Sequence, residues 1–176
     1  MAGILDAAAS TLARQPDATM GDLAIAAGVG RATLYRYFPN REAVLTELAR
    51  VAAEDLLEQV ADAEVETAPV LESISRLTRG LVGVGSRYLM LGHAGKKPEG
   101  VDDLQQGLAE PIQRLFARGV RDGSLRDDVP PEILLRIYSG LLEVAIFLSG
   151  EPGLGPERAS AAILKVFLDG AGPGAR

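Results

Sequence analysis

The sequence predicts an all-α chain of about nine helices, and three observations predict it. Apolar residues recur at three- and four-residue spacing along nearly every segment. No stretch alternates apolar and polar with the period of two that a half-buried strand needs, and no internal repeat is present. Leu and Ala dominate a composition that is 47% hydrophobic and 5% aromatic, while 20 Gly and 10 Pro gather at the breaks between periodic segments. The 176 residues are enough for a small head fused to a larger body. The reading places the head at residues 1–45 and the body at 46–176, with a disordered tail at 171–176.

Ile4, Leu5, Ala8 and Leu12 share one face of a first helix that ends before Gln15-Pro16-Asp17. Thr19 then caps a short second helix. Asp22 stands three residues on, so the hydroxyl can accept from the Asp22 amide in a near capping box. Gly28 falls where the end of that helix needs a residue tolerant of positive φ. Val29-Gly30 leads straight into a third helix over 31–38, closed by Pro39. Two short helices on either side of a glycine turn form the helix-turn-helix pattern. Asn40 caps a long fourth helix reaching about residue 63, with Leu45, Leu48, Ala52, Leu56 and Val60 at helical spacing.

In the body, Thr67-Ala68-Pro69 opens a fifth helix carrying Leu71, Ile74, Leu77, Leu81, Val84 and Tyr88. Residues 93–100 are polar and glycine-bounded and read as a loop. The next helix, about 101–120, contains Leu104, Leu108, Ile112, Leu115 and Phe116, and Pro111 within it predicts a kink or a division into two pieces. Pro130-Pro131 opens an apolar helix over 132–148. A last helix runs from 157 to about 170.

Charge sharpens the head. The chain carries 18 basic and 24 acidic residues, net −6, which at first argues against a nucleic-acid partner. Five Arg and five acids balance in residues 1–50, so the deficit lies entirely in the rest of the chain. Within 31–41 stand Arg31, Arg36 and Arg41 with no acid, a local positive surface.

The strings ILDAA, ATMGDLAIAAGVGRATLYRYFPNREAVL and, more weakly, GVRDGSLRDDVPPEILLRIYSGLLEVAI resemble the tetracycline-repressor (TetR) family of bacterial transcription regulators. The resemblance implies a DNA-binding head, a helical ligand-binding and dimerisation body, and a homodimer that represses and leaves its DNA when a small molecule binds. It carries the major-groove helix onto Arg31, Ala32, Thr33, Tyr35, Arg36 and Tyr37. Arg41 replaces the Lys common at the start of the fourth helix and is expected on a phosphate. One departure stands out: Gly30 replaces the Ser or Thr often found before the recognition helix.

From the residues themselves, Arg31 and Arg36 are candidates for bidentate contact with guanine, and Thr33 for a thymine methyl or a base edge. Ala32 would let the helix sit close. Tyr35, Tyr37, Arg41 and the start of the second helix at Thr19 and Met20 would hold phosphates. Leu34 and Phe38 read as core. A solvated helix face is the alternative for the two arginines, and partial burial for either tyrosine. A single head reads too few base pairs for genomic discrimination, so a palindromic operator and a homodimer follow. Ile137, Gly140, Leu141, Val144, Ala145 and Leu148, with Ile163, Val166 and Phe167, would form an apolar four-helix contact; burial within their own chain is the alternative.

A small hydrophobic or aromatic effector would sit between body helices, lined by Leu77, Leu81, Val84, Leu108, Ile112, Phe116 and Tyr138. Arg87, Tyr88, His93 and Gln113 are its further polar candidates, although many of these positions also read as plain core. With no Cys, one His and no Gly-x-Ser-x-Gly, no activated nucleophile, metal site or cofactor is expected, and the chain does not read as an enzyme. Gly80, Gly83 and Gly85 lie mid-helix and read as packing positions. No secretory signal or membrane span is legible, so a cytoplasmic protein is expected. Two other functions stay open: a helical protein that acts through protein contacts or a body pocket without DNA binding, and a ligand-independent activator.

Overall fold

The computed structural model describes residues 2–88 and 101–172, with side chains described for 3–85 and 108–172. Among the described residues there are eight helices and no strand. They are α1 (Ala2–Arg14), α2 (Met20–Ala26), α3 (Arg31–Tyr37), α4 (Arg41–Asp62), α5 (Val70–Tyr88), α6 (Val101–Asp122), α7 (Pro131–Ser149) and α8 (Gly155–Ala171). The difference from about nine lies in α6, which continues unbroken through Pro111. Proline removes one backbone donor from the helix ladder; here the helix runs on past it.

The chain divides into two compact units, Met1–Glu54 with Arg87–Val101 and Asp55–Ser86 with Asp102–Arg176, so that one boundary falls inside α4. In the first unit α1 and α2 bring Leu5, Ala8, Leu12, Leu23 and Ala24 against Leu34 and Phe38, and the core is closed by Val44 and Leu48 of α4. That is why the unit reaches past residue 45. Local chemistry shapes its turns. Gly28 has φ +66°, the Gly28 amide donates to Ile25 O at 3.1 Å and the Val29 amide to Ala24 O at 3.0 Å, the paired bonds of a Schellman stop. Asn40 Oδ1 accepts from the Ala43 amide at 2.8 Å and so caps α4.

The second unit is built round Val60, Ile74, Leu77, Leu81, Leu115, Phe116, Leu134, Tyr138 and Phe167. Three rings form its centre: Phe116 and Tyr138 lie 5.3 Å apart between centroids, Phe116 and Phe167 5.9 Å, Tyr138 and Phe167 5.4 Å. The buried stripe of α5 is Val70, Ile74, Leu77 and Leu81, which leaves Leu71 one position round the helix and exposed. A Cβ on Gly80 would run into the Gln59 side chain and one on Gly85 would meet Ile146 Cδ1 at 2.5 Å. These two glycines therefore admit close neighbours.

The turn between α4 and α5 is held from a distance. Arg118 of α6 donates to the carbonyls of Glu66 (2.9 Å), Val65 (3.1 Å) and Ala68 (2.7 Å). Arg114 binds the Glu66 carboxylate at 2.9 Å, and Arg76 binds both Glu64 and Glu72. Glu64 itself has φ +48°, in the left-handed region that costs a residue with a Cβ.

Candidate nucleic-acid interface

A seven-residue helix that buries one side chain has six left for another purpose. In α3 the buried one is Leu34, while Arg31, Ala32, Tyr35, Arg36 and Tyr37 are exposed and Thr33 is half-buried. Tyr35 keeps 50% and Tyr37 45% of its surface in solvent, so neither ring is core. The Arg36 guanidinium lies 5.3 Å from the centre of the Tyr37 ring, a cation–π contact that leaves its edge available. Gly30 precedes the helix in extended conformation (φ −67°, ψ 149°) and supplies no side-chain cap, as glycine must.

At the start of α2 the capping box is complete. The Asp22 amide donates to Thr19 Oγ at 3.3 Å, and Asp22 Oδ2 accepts from the Thr19 amide at 2.8 Å and from its hydroxyl at 2.7 Å. The Thr19 hydroxyl and amide, helped by the charge of Arg31, hold the Asp22 carboxyl below its ordinary range. Thr19 stays exposed, whereas Met20 is buried. Arg41, expected on a phosphate, donates Nε to Ala18 O at 3.3 Å and Nη2 to Pro16 O within the head. It ties the α1–α2 turn to α4.

The nine body residues read as an interface fall into two sets. Ala145, Ile163 and Phe167 are buried in the chain's own cores and add nothing to its outer surface. Ile137, Gly140 and Val144 are exposed on α7 and Val166 on α8, with Leu141 and Leu148 half-buried. Sequence reasoning passed over Ile133 and Phe147 of the same face; Phe147 has 64% of its surface exposed. Positions 133, 137, 140, 144 and 147 are spaced four, three, four, three, the spacing of a helix–helix seam. That repeat was the signal available for them.

Of the effector-site residues, Leu77, Leu81, Phe116 and Tyr138 are packed in the core, and the Tyr138 hydroxyl lies 3.0 Å from that of Thr78. Val84, Leu108 and Ile112 are half-buried, and Gln113 is exposed because it lies off the inward stripe of α6. The side chains of Arg87 and Tyr88, and His93 altogether, lie outside the described residues. An open cavity of about 420 Å³ stands elsewhere in this unit, lined by Leu57, Val60, Ala61, Val65, Thr67 and Pro111 among others. Among the described residues no helix is long and apolar enough to cross a membrane.

Residues 4–48 match the model of the bacterial regulatory proteins of the tetR family. The chain is 39% identical over 88 residues to the HTH-type transcriptional repressor LfrR of Mycolicibacterium smegmatis, a match covering 50% of this chain and 47%, about half, of that relative. It is 25% identical over 178 residues to the HTH-type transcriptional regulator NfxB of Pseudomonas aeruginosa, covering 98% of this chain and 95% of the relative. The fold is that of the ketosteroid transcriptional regulator KstR2 of Mycobacterium tuberculosis, with TM-score 0.81 at 20% identity over 96% of this chain and 93% of that one. LfrR solved in complex with proflavine superposes with TM-score 0.71 at 27% identity, over 96% of this chain and 93% of that one.

Proposed function

We propose that the chain, whose residues 4–48 match the model of the tetR family of bacterial regulatory proteins, is a regulator of that family, that it represses transcription as a cytoplasmic homodimer on a palindromic operator and that it is released by a small molecule. The observation that carries the DNA-binding part is the surface of α3: two arginines and two tyrosines exposed on a helix anchored by Leu34 alone. Such a helix suits the major groove, where Arg31 and Arg36 present guanidinium forks to guanine O6 and N7. Thr33 and Ala32 lie toward the bases, and Tyr35, Tyr37, Thr19 and the backbone at Met20 toward phosphates. Arg41 keeps the α1–α2 turn in place and, from the start of α4, is proposed to reach a phosphate as well.

Two heads are needed to read enough sequence, and the exposed seam of Ile133, Ile137, Gly140, Val144 and Phe147, with Val166 beside it, supplies an apolar surface for a second copy. The released state is proposed to follow a hydrophobic or aromatic effector, in line with proflavine bound to LfrR. Its site is proposed beside the aromatic core, where Val84, Leu108 and Ile112 are half-buried.

Selection of bound duplexes from random DNA tests the reading, with the Arg31→Ala/Arg36→Ala variant as control. Enrichment of a palindrome by the native protein alone is the expected result, followed by its release on adding proflavine. Absence of any enriched sequence at low salt would overturn the assignment.

A further inference from the structure

Arg31 stands in the first turn of α3 with its side chain exposed, yet the side chain lies against a neighbour. A Cβ placed on Gly21 of α2 would meet Arg31 Nη2 at 3.0 Å, Cζ at 3.3 Å and Nε at 3.4 Å. Three atoms of the guanidinium therefore rest on the α2 backbone where a side chain would intrude. The next residue is Asp22, whose carboxylate is fixed by the Thr19 amide and hydroxyl and lies within electrostatic reach of the same guanidinium. Helix stability does not explain Gly21, because glycine is a poorer helix former than alanine.

We propose that Gly21 and Asp22 form a dock that sets the direction of the Arg31 fork, which makes them positioning residues for base readout. The inference rests on α3 being the DNA-reading helix. Bidentate recognition of guanine needs a planar fork held in one orientation, and a long side chain free in solvent loses rotamer freedom when it binds. A docked one has lost much of it already. The Asp22 carboxylate adds selectivity of another kind. Its charge offsets that of Arg31 and so weakens the phosphate attraction that is the same for every sequence.

The test uses the full chain, an operator duplex obtained by selection, and the same duplex substituted at each base pair. The variants are Gly21→Ala, Asp22→Asn, Arg31→Ala and, as a control on head stability, Asn40→Ala, which removes the α4 cap. In the native protein, discrimination at the base pair read by Arg31 is expected to be about tenfold or more. Gly21→Ala should lower it to about threefold or less without lowering the melting temperature, since the atoms that must move are the tip of a flexible side chain. Asp22→Asn should raise affinity for unrelated duplex about two- to fivefold at low salt. Asn40→Ala should lower the melting temperature and leave discrimination unchanged.

Native base preference in both Gly21→Ala and Asp22→Asn, together with its loss in Arg31→Ala, would show that DNA alone orients Arg31 and would overturn the dock. Equal loss in Asn40→Ala would overturn it too, by tracing the effect to head stability. If Arg31→Ala keeps the native preference, Arg31 reads no base, which overturns the dock together with the base-reading role given to Arg31, whereas loss in Arg31→Ala alone overturns the dock and leaves that role standing.

Discussion

Helix α3 buries one side chain and shows solvent Arg31, Ala32, Tyr35, Arg36 and Tyr37; α7 buries Leu134, Tyr138, Ala145 and Ser149 and shows Ile133, Ile137, Val144 and Phe147. Both leave groups at the surface that a self-sufficient monomer would not need. Their chemistry is opposite. The α3 surface combines cations and aromatic rings, which suits a polyanion with flat bases, whereas the α7 surface is aliphatic and aromatic at helix-seam spacing, which suits another apolar helix. Arg50 of α4 and Arg76, Arg114 and Arg126 of the second unit each form a salt bridge with a carboxylate, while Arg36 of α3 lies over a ring.

That contrast can be broken on either side. Replacing Arg31 and Arg36 together by Ala should weaken operator binding by about a hundredfold or more, at about 1–3 kcal/mol for each bidentate contact, with the oligomeric state unchanged. Fluorescence anisotropy over a salt series measures this, and an unchanged affinity would remove α3 from the interface. Placing charges in the other surface, as Ile137→Glu/Val144→Glu, should dissociate the proposed dimer with a loss of about 2–4 kcal/mol. Sedimentation velocity and circular dichroism read it: a helical monomer is expected, and a dimer of native strength would mean that the copies meet elsewhere.

Two smaller effects sharpen the comparison by probing what lies beneath each surface. Burial pushes the Tyr138 phenol up to about 12, against the hydrogen bond to Thr78 that pulls it down. With the native value raised above the unfolded one, the stability is complete below the ordinary tyrosine range and is lost as pH climbs through it toward the native value. Roughly 2 kcal/mol should go in this way between about pH 10 and 12. Urea melts of the native protein and Tyr138→Phe should diverge in that window, and parallel curves would contradict the burial. Under α3, Thr19→Ala should cost the head ~1 kcal/mol through its lost cap. The Asp22 carboxyl, held low by Thr19, gives the head a stability present above the ordinary carboxyl range and lost as pH falls through its depressed value. In Thr19→Ala that acid loss should shrink, which pH melts would show.

What was legible in the sequence is what short-range chemistry decides. The Thr19–Asp22 box, the positive φ of Gly28 and the Asn40 cap each need partners no more than three residues away, and each reads directly from residue types. The exposed face of α3 followed from Leu34 and Phe38 being the apolar pair of that segment. Longer-range choices were not legible. The two carbonyls that Arg41 binds are 23 and 25 residues away, beyond what local residue types can show. α7 is apolar nearly all round, so periodicity marks Val144 and Ala145 alike, and only packing assigns one to the surface and one to the core. Pro111 marks a break by local rule, yet α6 runs through it.

The three carbonyls gathered by Arg118 have a kinetic consequence. Residues 65, 66 and 68 receive their hydrogen bonds from a side chain 50 to 53 positions further along the chain. No local step can complete that turn. It must wait for α6 to arrive, and the closure of so long a loop costs entropy before the contact returns any free energy. The α4–α5 turn is therefore among the last parts of the second unit to become native and among the first to open. In hydrogen exchange its amides should open together with the Arg118 end of α6.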